Sequence, residues 1–197
     1  AELSGAMELR HSRTVDRRLA YRARSVAGGA FRPGRPPSAT TRAVARQRNP
    51  RAQALAGELR RQHPADRDFL FAILERFRSE EFFYTLEPPL LGADPVDDFL
   101  FRTRSGFCEH YAAAFTLLAR AGGLPARVVT GYQGGEWNPI GGHWVIRQSD
   151  AHAWSEVFVD GRWVRFDPTA AVAPQRIELG LEAALPEARK EYYQRLL

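Results

Sequence analysis

The dipeptide Asp160-Gly161 lies between two runs in which apolar and polar residues alternate, "AHAWSEVFV" before it and "RWVRF" after it. An Asp-Gly pair in that setting is the strongest short-range signal of a β-hairpin closed by a two-residue turn. A turn of two residues also fixes the pairing of the strands, since Val159 must then face Arg162. The hairpin is therefore the part of the chain whose geometry the sequence constrains most tightly.

Two cross-strand pairs favour this register. It places Phe158 opposite Trp163 and Glu156 opposite Arg165, an aromatic pair and a pair of opposite charges. Each pair is expected to contribute about 0.2–1 kcal/mol. A slip by one residue would break both pairs and would move every side chain of one strand to the other face of the sheet.

The same register brings an imidazole next to a carboxylate. His152, Trp154, Asp167 and Thr169 fall on one face of the hairpin. His152 and Asp167 are diagonal neighbours, with backbones about 7–8 Å apart and side chains within reach of each other. We expect a carboxylate oxygen of Asp167 within about 3.2 Å of one ring nitrogen of His152. Such a contact fixes the tautomer and the orientation of an imidazole.

The periodicity of the chain changes at Pro125. Before it, the spacing of apolar residues predicts helices over 50–62, 65–81, 92–101 and 107–121, with a short β-prone run at 82–89. After it, the period is two and predicts strands over 126–135, 142–148, 151–160 and 161–169. Helices followed by consecutive strands predict an α+β fold with an antiparallel sheet.

Individual residues set the boundaries and faces of these helices. Asn49 is expected to cap the first helix, with Pro50 at its first position. The fourth helix is expected to end at Gly122-Gly123. The second helix presents an apolar stripe formed by Phe69, Ile73, Leu74 and Phe77.

Positive charge is concentrated in the first third of the chain. Residues 1–63 contain 14 Arg and 4 acidic residues, whereas the whole chain of 197 residues has a net charge of +5. A basic segment can contact nucleic acid, anionic lipid or an acidic wall polymer. It can also be a solvated surface in an Arg-rich sequence, since 27 of the 28 basic residues are Arg. No nucleic-acid-binding motif accompanies the charge, so we expect no nucleic-acid partner.

The chain contains a single cysteine, Cys108, where a Gly-led turn runs into an apolar helix. The N-terminus of a helix carries partial positive charge and free N–H groups, which favour the reactive thiolate. The alternative is a buried cysteine that serves packing alone. A preformed pair of His152 and Asp167 on a neighbouring sheet favours a nucleophile, a base and an orienting acid.

Three motifs in order carry a resemblance to a known family. The segments "GFCEHYAAAFTLLARAGGLPARVVTGY" and "DAHAWSEVFVDGRWVRFDPTA" resemble the transglutaminase-like family of papain-like thiol enzymes, over about residues 80–175. "FFYTLEPP" and "GYQGGEWNP" are similar to the bacterial TgpA type, which an inner-membrane protein carries as a periplasmic domain. The resemblance implies a papain-like core with the nucleophile at a helix N-terminus packed on an antiparallel sheet. It also implies a catalytic triad of Cys108, His152 and Asp167.

The resemblance implies acyl transfer through a thioester on Cys108. A carboxamide of the glutamine type would be the acyl donor, His152 the acid and base, and Asp167 the residue that orients His152. A cysteine peptidase or amidase on the same triad, or a non-catalytic cell-envelope binding domain, are the alternatives. The expected substrate is a protein or peptide, a cell-wall peptide among them, with an amine or water as acceptor. The oligomeric state stays open.

The resemblance also divides the chain into three parts. We expect a basic N-terminal extension over 1–48 with a Pro/Arg-rich loop, a transglutaminase-like catalytic domain over 49–175, and a tail helix within 176–197. The sequence begins without Met and contains no run near the roughly 18 apolar residues of a spanning helix. We expect it to be part of a longer protein, tethered to a membrane by segments outside this sequence and exposed to the periplasm.

Further candidate residues concern the oxyanion and the substrate. The backbone N–H of Cys108 is the first expected oxyanion donor. Animal relatives use an upstream Trp as the second, but all four Trp residues of this chain follow Cys108. Tyr84 is the substitute candidate, and an ordinary core tyrosine is the alternative. Trp154 lies beside the predicted triad, and Trp137 would either grip a substrate or cover a sheet edge.

Neither the remaining histidines nor the acidic residues predict a cofactor. Glu109 and His110 follow the cysteine and are expected to pack or to anchor the helix. His63 and His143 lack Cys or acidic neighbours at ligand spacing, so no metal site is assigned. Animal relatives bind Ca²⁺, but no acidic loop here has that ligand spacing.

Overall fold

The computed structural model describes residues 2–3, 9–10 and 37–179, in which helices dominate before residue 122 and strands after it. Within this part of the chain, no helix has the length and apolar character needed to cross a membrane. The helices are α1 (Pro50–Gln62), α2 (Asp66–Ser79), α3 (Pro95–Asp98), α4 (Cys108–Ala121), α5 (Thr169–Val172) and α6 (Pro174–Glu178). The strands are β1 (Glu2–Leu3), β2 (Leu9–Arg10), β3 (Phe83–Tyr84), β4 (Ser105–Gly106), β5 (Ala126–Tyr132), β6 (Glu136–Asn138), β7 (His143–Val145), β8 (Ala151–Val159) and β9 (Arg162–Phe166).

The main sheet is antiparallel and has the strand order β5-β8-β9. The β8–β9 hairpin has the predicted register, in which Phe158 pairs with Trp163. The two rings pack edge to face with centroids 5.6 Å apart. Asp160 and Gly161 have φ values of 53° and 73°, and positive φ at both central residues is what this hairpin turn requires. The predicted turn and register are therefore confirmed, but β9 ends at Phe166, and Thr169 begins α5 instead of extending the strand.

Glu156 and Arg165 are paired across the hairpin, as predicted, but each side chain is hydrogen-bonded to another partner. Glu156 accepts two hydrogen bonds from Arg127 on β5, at 2.9 and 2.6 Å. Since β8 is the central strand, Glu156 has an arginine on each side and is bound by the one on β5. Arg165 bonds instead to Asp167, two residues further along the chain.

The strand predicted over 142–148 does not join the main sheet. β7 pairs with β6 in a separate two-stranded hairpin, and β5 pairs directly with β8. Strands that are consecutive in sequence are therefore not all neighbours in the sheet. The hairpin of β6 and β7 is an insertion between two strands of the core, and it ends in the 3₁₀ turn of residues 148–150.

The central strand β8 has two different faces. Ser155 on its inner face bonds to α4, where its hydroxyl donates to the carbonyl of Ala112 at 3.0 Å. The inner face consists of the buried residues Ala153, Ser155, Val157 and Val159. The partly exposed residues of the other face are Trp154, Glu156 and Phe158. Alternation along one strand thus separates buried residues of the inner face from partly exposed residues of the outer face.

The helical layer matches the predictions closely, with one change in the apolar stripe. α1 and α2 lie where the periodicity places them, and α4 begins one residue later than expected. Leu74 is only partly buried, and Leu70 takes its place in the core. Leu74 packs against the edge of this core and also lines an open groove beside α2. The buried stripe of α2 consists of Phe69, Leu70, Ile73 and Phe77.

Two helix N-termini cap each other. Asn49 precedes α1 as predicted, but its side chain does not cap that helix. Its Oδ1 accepts hydrogen bonds from the backbone of Val96 and Asp97, at 2.8 and 3.2 Å. In return, the Asp97 carboxylate accepts bonds from the backbone of Arg51 and Ala52, at 2.9 and 2.7 Å. This exchange ties α1 to α3, where the predicted helix over 92–101 divides into α3 and a π-helical turn at Phe99–Thr103.

Asp97→Ala should destabilise the fold. The substitution leaves two N–H groups of α1 without an acceptor, and the buried one, of Ala52, costs about 1–3 kcal/mol. For a chain of this size each kcal/mol lowers the melting temperature by about 2–4 °C. Glu58→Ala is the matched control, because Glu58 is an exposed acid of the same helix. Equal melting temperatures for the two variants, measured by calorimetry, would show that the reciprocal caps contribute nothing.

The proposed division of the chain stays a prediction. Residues just before α1 bond to the helical layer, since Arg42 donates to the carbonyl of Gly123 at 3.1 Å. Arg120 in α4 donates to the carbonyl of Ala43 at 3.3 Å. Most of the basic extension and the predicted tail helix lie outside the described residues.

Candidate active site

Cys108 is the first residue of α4, as the sequence predicts to within one residue. Its side chain is nearly buried, in a small cluster with Ala112 and Ala153 that is separate from the main core. The first N–H groups of an α-helix have no partner within the helix, and they point toward such a side chain. The thiol thus lies at the positive end of a helix of 14 residues.

The turn before Cys108 is held by His110. Its Nδ1 accepts a hydrogen bond from the backbone of Phe107 at 3.4 Å, and the two rings pack edge to face at 4.6 Å. Burial lowers the pKa of His110, which favours the neutral imidazole that can accept this bond. A side chain at Gly106 would lie 2.6 Å from the His110 ring, so only glycine fits there. His110 therefore anchors the start of the helix, while Glu109 is exposed beside it.

The contact between His152 and Asp167 is confirmed. Nε2 of His152 lies 2.8 Å from Oδ2 of Asp167, within the predicted limit. The carboxylate selects the tautomer in which Nε2 carries the proton and donates it to Asp167. Nδ1 is buried and forms no hydrogen bond among the described residues. Its lone pair is therefore free to accept a proton.

The pKa values of this pair shift in opposite directions. Burial lowers the pKa of His152, but the hydrogen bond to Asp167 and the contact with the Cys108 thiol raise it, and the net shift is upward. Burial raises the pKa of Asp167, but the bonds from His152 and Arg165 lower it, and the net shift is downward. Both pKa shifts favour the charged forms, an imidazolium at His152 and a carboxylate at Asp167. The three predicted residues lie together, since Cys108 and His152 line one cleft and Asp167 bonds to His152.

Asp167→Asn should lower the pKa of His152. The hydrogen bond to the carboxylate and the charge of Asp167 are two of the causes that raise this pKa, and both weaken in the variant. A raised folded pKa stabilises the fold below the unfolded pKa of about 6.5, and this stabilisation disappears as the pH rises through the folded pKa. The variant should therefore lose more stability near about pH 6 than near about pH 9. An NMR titration of the His152 ring protons measures the pKa, and an unchanged value would contradict the expectation.

Trp154 lies against the imidazole. Its ring stacks on His152 with centroids 6.2 Å apart and an interplanar angle of 24°. The guanidinium of Arg165 covers the same ring at 4.4 Å. A side chain at Gly131 would come within 2.9 Å of Trp154, so the neighbouring strand must carry glycine there. The Nε1 of Trp154 is buried without a partner among the described residues.

A cleft of about 280 Å³ opens onto Cys108 and His152, and Tyr84 lines it. Tyr84 is held in place by the pairing of β3 with β4, in which it lies opposite Gly106. Burial raises the pKa of Tyr84 and the charge of Cys108 raises it further, against the effect of Arg176. The hydroxyl therefore stays protonated and can donate a hydrogen bond into the cleft.

A second and larger groove, of about 900 Å³, runs beside α2 and includes Asp167 in its wall. It is wide open, and neither Cys108 nor His152 contributes to its walls. The smaller cleft contains both the thiol and the imidazole. We therefore assign the site to the smaller cleft.

Trp137 is not brought to this cleft. It lies within β6, where its ring packs against Trp144 of β7 at 5.7 Å, and it is half exposed. The structure thus places Trp137 in the separate β6–β7 hairpin, and it does not line the cleft beside Cys108. Among the described residues, no group of three or more His, Cys, Asp or Glu side chains could hold a metal ion.

Two arginines at the site were missed in the sequence. Arg176 in α6 is buried, lines the cleft, and donates to the carbonyl oxygens of Ala151 and Ser149 at 2.9 and 3.3 Å. No motif marks it, because only the tertiary path of the chain returns α6 to the cleft. Arg165 could have been found, since residues two apart on a strand share a face and Asp167 follows it by two.

Comparison with known proteins gives concordant matches. The model of the transglutaminase-like superfamily core matches residues 53–168. A protein-glutamine gamma-glutamyltransferase of Pseudomonas aeruginosa is 58% identical over 138 residues, which cover 70% of this chain and 21% of that protein. The uncharacterized protein YebA of Bacillus subtilis is 36% identical over 127 residues, which cover 60% of this chain and 17% of that protein. The chain thus spans about a fifth of the length of these relatives.

Solved structures agree with these matches. The periplasmic domain of TgpA from Pseudomonas aeruginosa superimposes with a TM-score of 0.71 and 55% identity, over 74% of this chain and 51% of that one. The same domain bound to ethylmercury gives a TM-score of 0.68 and 54% identity, over 70% and 50% of the two chains.

Proposed function

The chain belongs to the transglutaminase-like superfamily, and from this premise we propose that it catalyses thiol-dependent acyl transfer from carboxamides of the glutamine type. Family membership confirms the resemblance and the predicted fold, a mixed α+β core with an antiparallel sheet. The observation that supports the chemistry best is the 2.8 Å bond between His152 and Asp167 beside the Cys108 thiol. In this proposal Cys108 is the nucleophile, His152 the acid and base, and Asp167 the orienting residue.

The first half of the reaction forms a thioester. Nδ1 of His152 takes the proton of the Cys108 thiol, and the thiolate attacks the carboxamide carbon. The His152 imidazolium then gives its proton to the departing nitrogen, so that ammonia leaves as the carbon–nitrogen bond breaks. Asp167 accepts the Nε2–H bond throughout and stabilises the imidazolium between these two transfers.

The oxyanion that develops on the carboxamide oxygen needs hydrogen-bond donors. We assign the first to the backbone N–H of Cys108 at the start of α4, and the second to the Tyr84 hydroxyl. Tyr84 lines the same cleft as Cys108, and its raised pKa keeps the proton available for donation. Removal of one oxyanion donor typically costs a factor of about 10²–10³ in kcat.

The second half resolves the thioester. His152, again neutral, removes a proton from an incoming amine or water, which attacks the thioester carbon and releases the Cys108 thiolate. An amine gives a new amide and water gives a carboxylate. The name of the Pseudomonas relative, a glutamyltransferase, favours the amine.

One experiment separates these outcomes. A glutamine-containing peptide is incubated with the full chain and an excess of a primary amine, and the products are weighed by mass spectrometry. Coupling of the amine supports acyl transfer, whereas deamidation identifies an amidase and backbone cleavage a peptidase. An unchanged peptide across a panel of sequences would refute the proposal and favour a non-catalytic envelope-binding domain.

We extend the proposal to location and partners. The structural relative is the periplasmic domain of its protein, and we propose that this chain is likewise the periplasmic domain of an inner-membrane protein. Its substrates would then be proteins or peptides of the envelope, cell-wall peptides among them. Reporter fusions to the full-length protein test the location, and activity of a reporter that works only in the cytoplasm would contradict it.

A further inference from the structure

One carboxylate oxygen of Asp167 has two donors. Oδ2 accepts the bond from Nε2 of His152 at 2.8 Å and a second bond from Nη2 of Arg165 at 2.9 Å. The other oxygen, Oδ1, is buried and has no hydrogen-bond partner among the described residues. Among the described residues, the hydrogen bonds that orient the carboxylate therefore all go to Oδ2.

Arg165 is itself fixed on two further sides. The same Nη2 donates to Oε1 of Gln133 at 2.8 Å, just beyond the end of β5. The guanidinium lies 4.4 Å from the ring centroid of Trp154, which also stacks on the ring of His152. Arg165 thus touches Asp167 directly and reaches His152 through Trp154.

A second donor matters because the last torsion of an aspartate is soft. The carboxylate of Asp has a broad, roughly two-fold torsional profile, so a single hydrogen bond restrains it weakly. A guanidinium is planar, always charged and holds fixed bond directions, which makes it a strong restraint on a carboxylate. The bond from Arg165 is also one of the causes that lower the pKa of Asp167 and keep it ionised.

We propose that Arg165 is a positioning residue, which holds the Asp167 carboxylate in line with Nε2 of His152. The inference rests on the catalytic roles proposed above for His152 and Asp167. Arg165 touches neither Cys108 nor the cleft that the thiol opens onto, so its effect must pass through Asp167 and Trp154.

The chain offers a closely matched control in Arg127. Arg127 also bonds to a carboxylate, that of Glu156 at 2.6 Å, and also covers an indole ring, that of Trp163 at 4.3 Å. It lies in the same sheet but contacts no residue of the proposed triad. Any effect that comes only from weakening the sheet should therefore be equally large in Arg165→Met and Arg127→Met.

The experiment compares Arg165→Met, Arg165→Lys and Arg127→Met with the unchanged protein. Two quantities are measured, the low-field NMR resonance of the His152 Nε2 proton and the kinetic constants for amine coupling. In Arg165→Met we expect the resonance to broaden or move upfield, because the hydrogen bond loosens. We expect kcat to fall about 10–100-fold, as for a small misplacement of a catalytic group, and KM to change less than about twofold. Lysine restores a charged donor and should recover part of kcat.

The proposal is overturned if Arg165→Met keeps both the resonance and kcat, or if Arg127→Met loses them equally. It is also overturned if KM rises while kcat stays constant, since Arg165 would then bind substrate. Absence of amine coupling in the unchanged protein would refute the proposed function alone. The resonance would still report whether Arg165 positions Asp167.

Discussion

Cys108→Ala should abolish amine coupling and leave the melting temperature nearly unchanged. Loss of a nucleophile that acts in a triad costs on the order of 10⁶ in kcat. The side chain packs in a small cluster apart from the main core, so we expect a stability loss of no more than about 1 kcal/mol, or about 2–4 °C. The substitution should therefore remove the activity while it leaves the stability of the fold almost unchanged.

Thiol labelling measures the same residue independently of turnover. The chain contains one cysteine, so any reaction with an alkylating reagent reports Cys108 alone. Cys108→Ser is the conservative control, which keeps the size of the side chain but replaces the thiol by a poorly nucleophilic hydroxyl. Full activity of Cys108→Ala would end the proposed mechanism. A large fall in its melting temperature would instead indicate a cysteine retained for packing.

Asp167→Asn should reduce kcat by about 10⁴ while the protein stays folded. An asparagine can present its NH₂ group to His152, which selects the wrong tautomer, and it stabilises an imidazolium poorly. His152→Ala should be at least as damaging, because it removes the acid and base altogether. Kinetics of amine coupling measure both effects, and circular dichroism establishes the fold.

Asp160→Asn is the control for this variant. Asp160 belongs to the same hairpin, is exposed, and pairs with Arg67, and neither residue lines the cleft. Its positive φ of 53° suits asparagine as well as aspartate. If Asp167→Asn lowered kcat less than tenfold, or no more than Asp160→Asn, Asp167 would not be the orienting residue.

The contact between His152 and Asp167 was predictable because a two-residue turn fixes which residues of the two strands lie opposite each other. Asp160-Gly161 sets the pairing, and the pairing places residues on faces without any knowledge of the rest of the fold. The position of Cys108 was predictable for a similar reason. A glycine-led turn and an apolar helical period define the start of α4 locally.

Contacts that involve a choice between partners were not predictable. Glu156 lies between arginines on the two neighbouring strands. The sequence does not reveal that β5, rather than β7, lies next to β8 and supplies the arginine that binds it. Asn49 caps the helix that begins 46 residues later, although its spacing suits α1 equally well. Arg176 enters the cleft through the path of α6, which no local pattern records.

The two faces of β8 have a consequence for protein engineering. Buried Ala153 and Ser155 alternate with His152 and Trp154 along one strand, so substitutions at neighbouring positions affect different properties of the protein. Random mutagenesis of this segment mixes losses of folding with changes of chemistry. A library that varies Trp154 alone and keeps the buried Ala153 and Ser155 would change the surroundings of the His152 imidazole without altering the core.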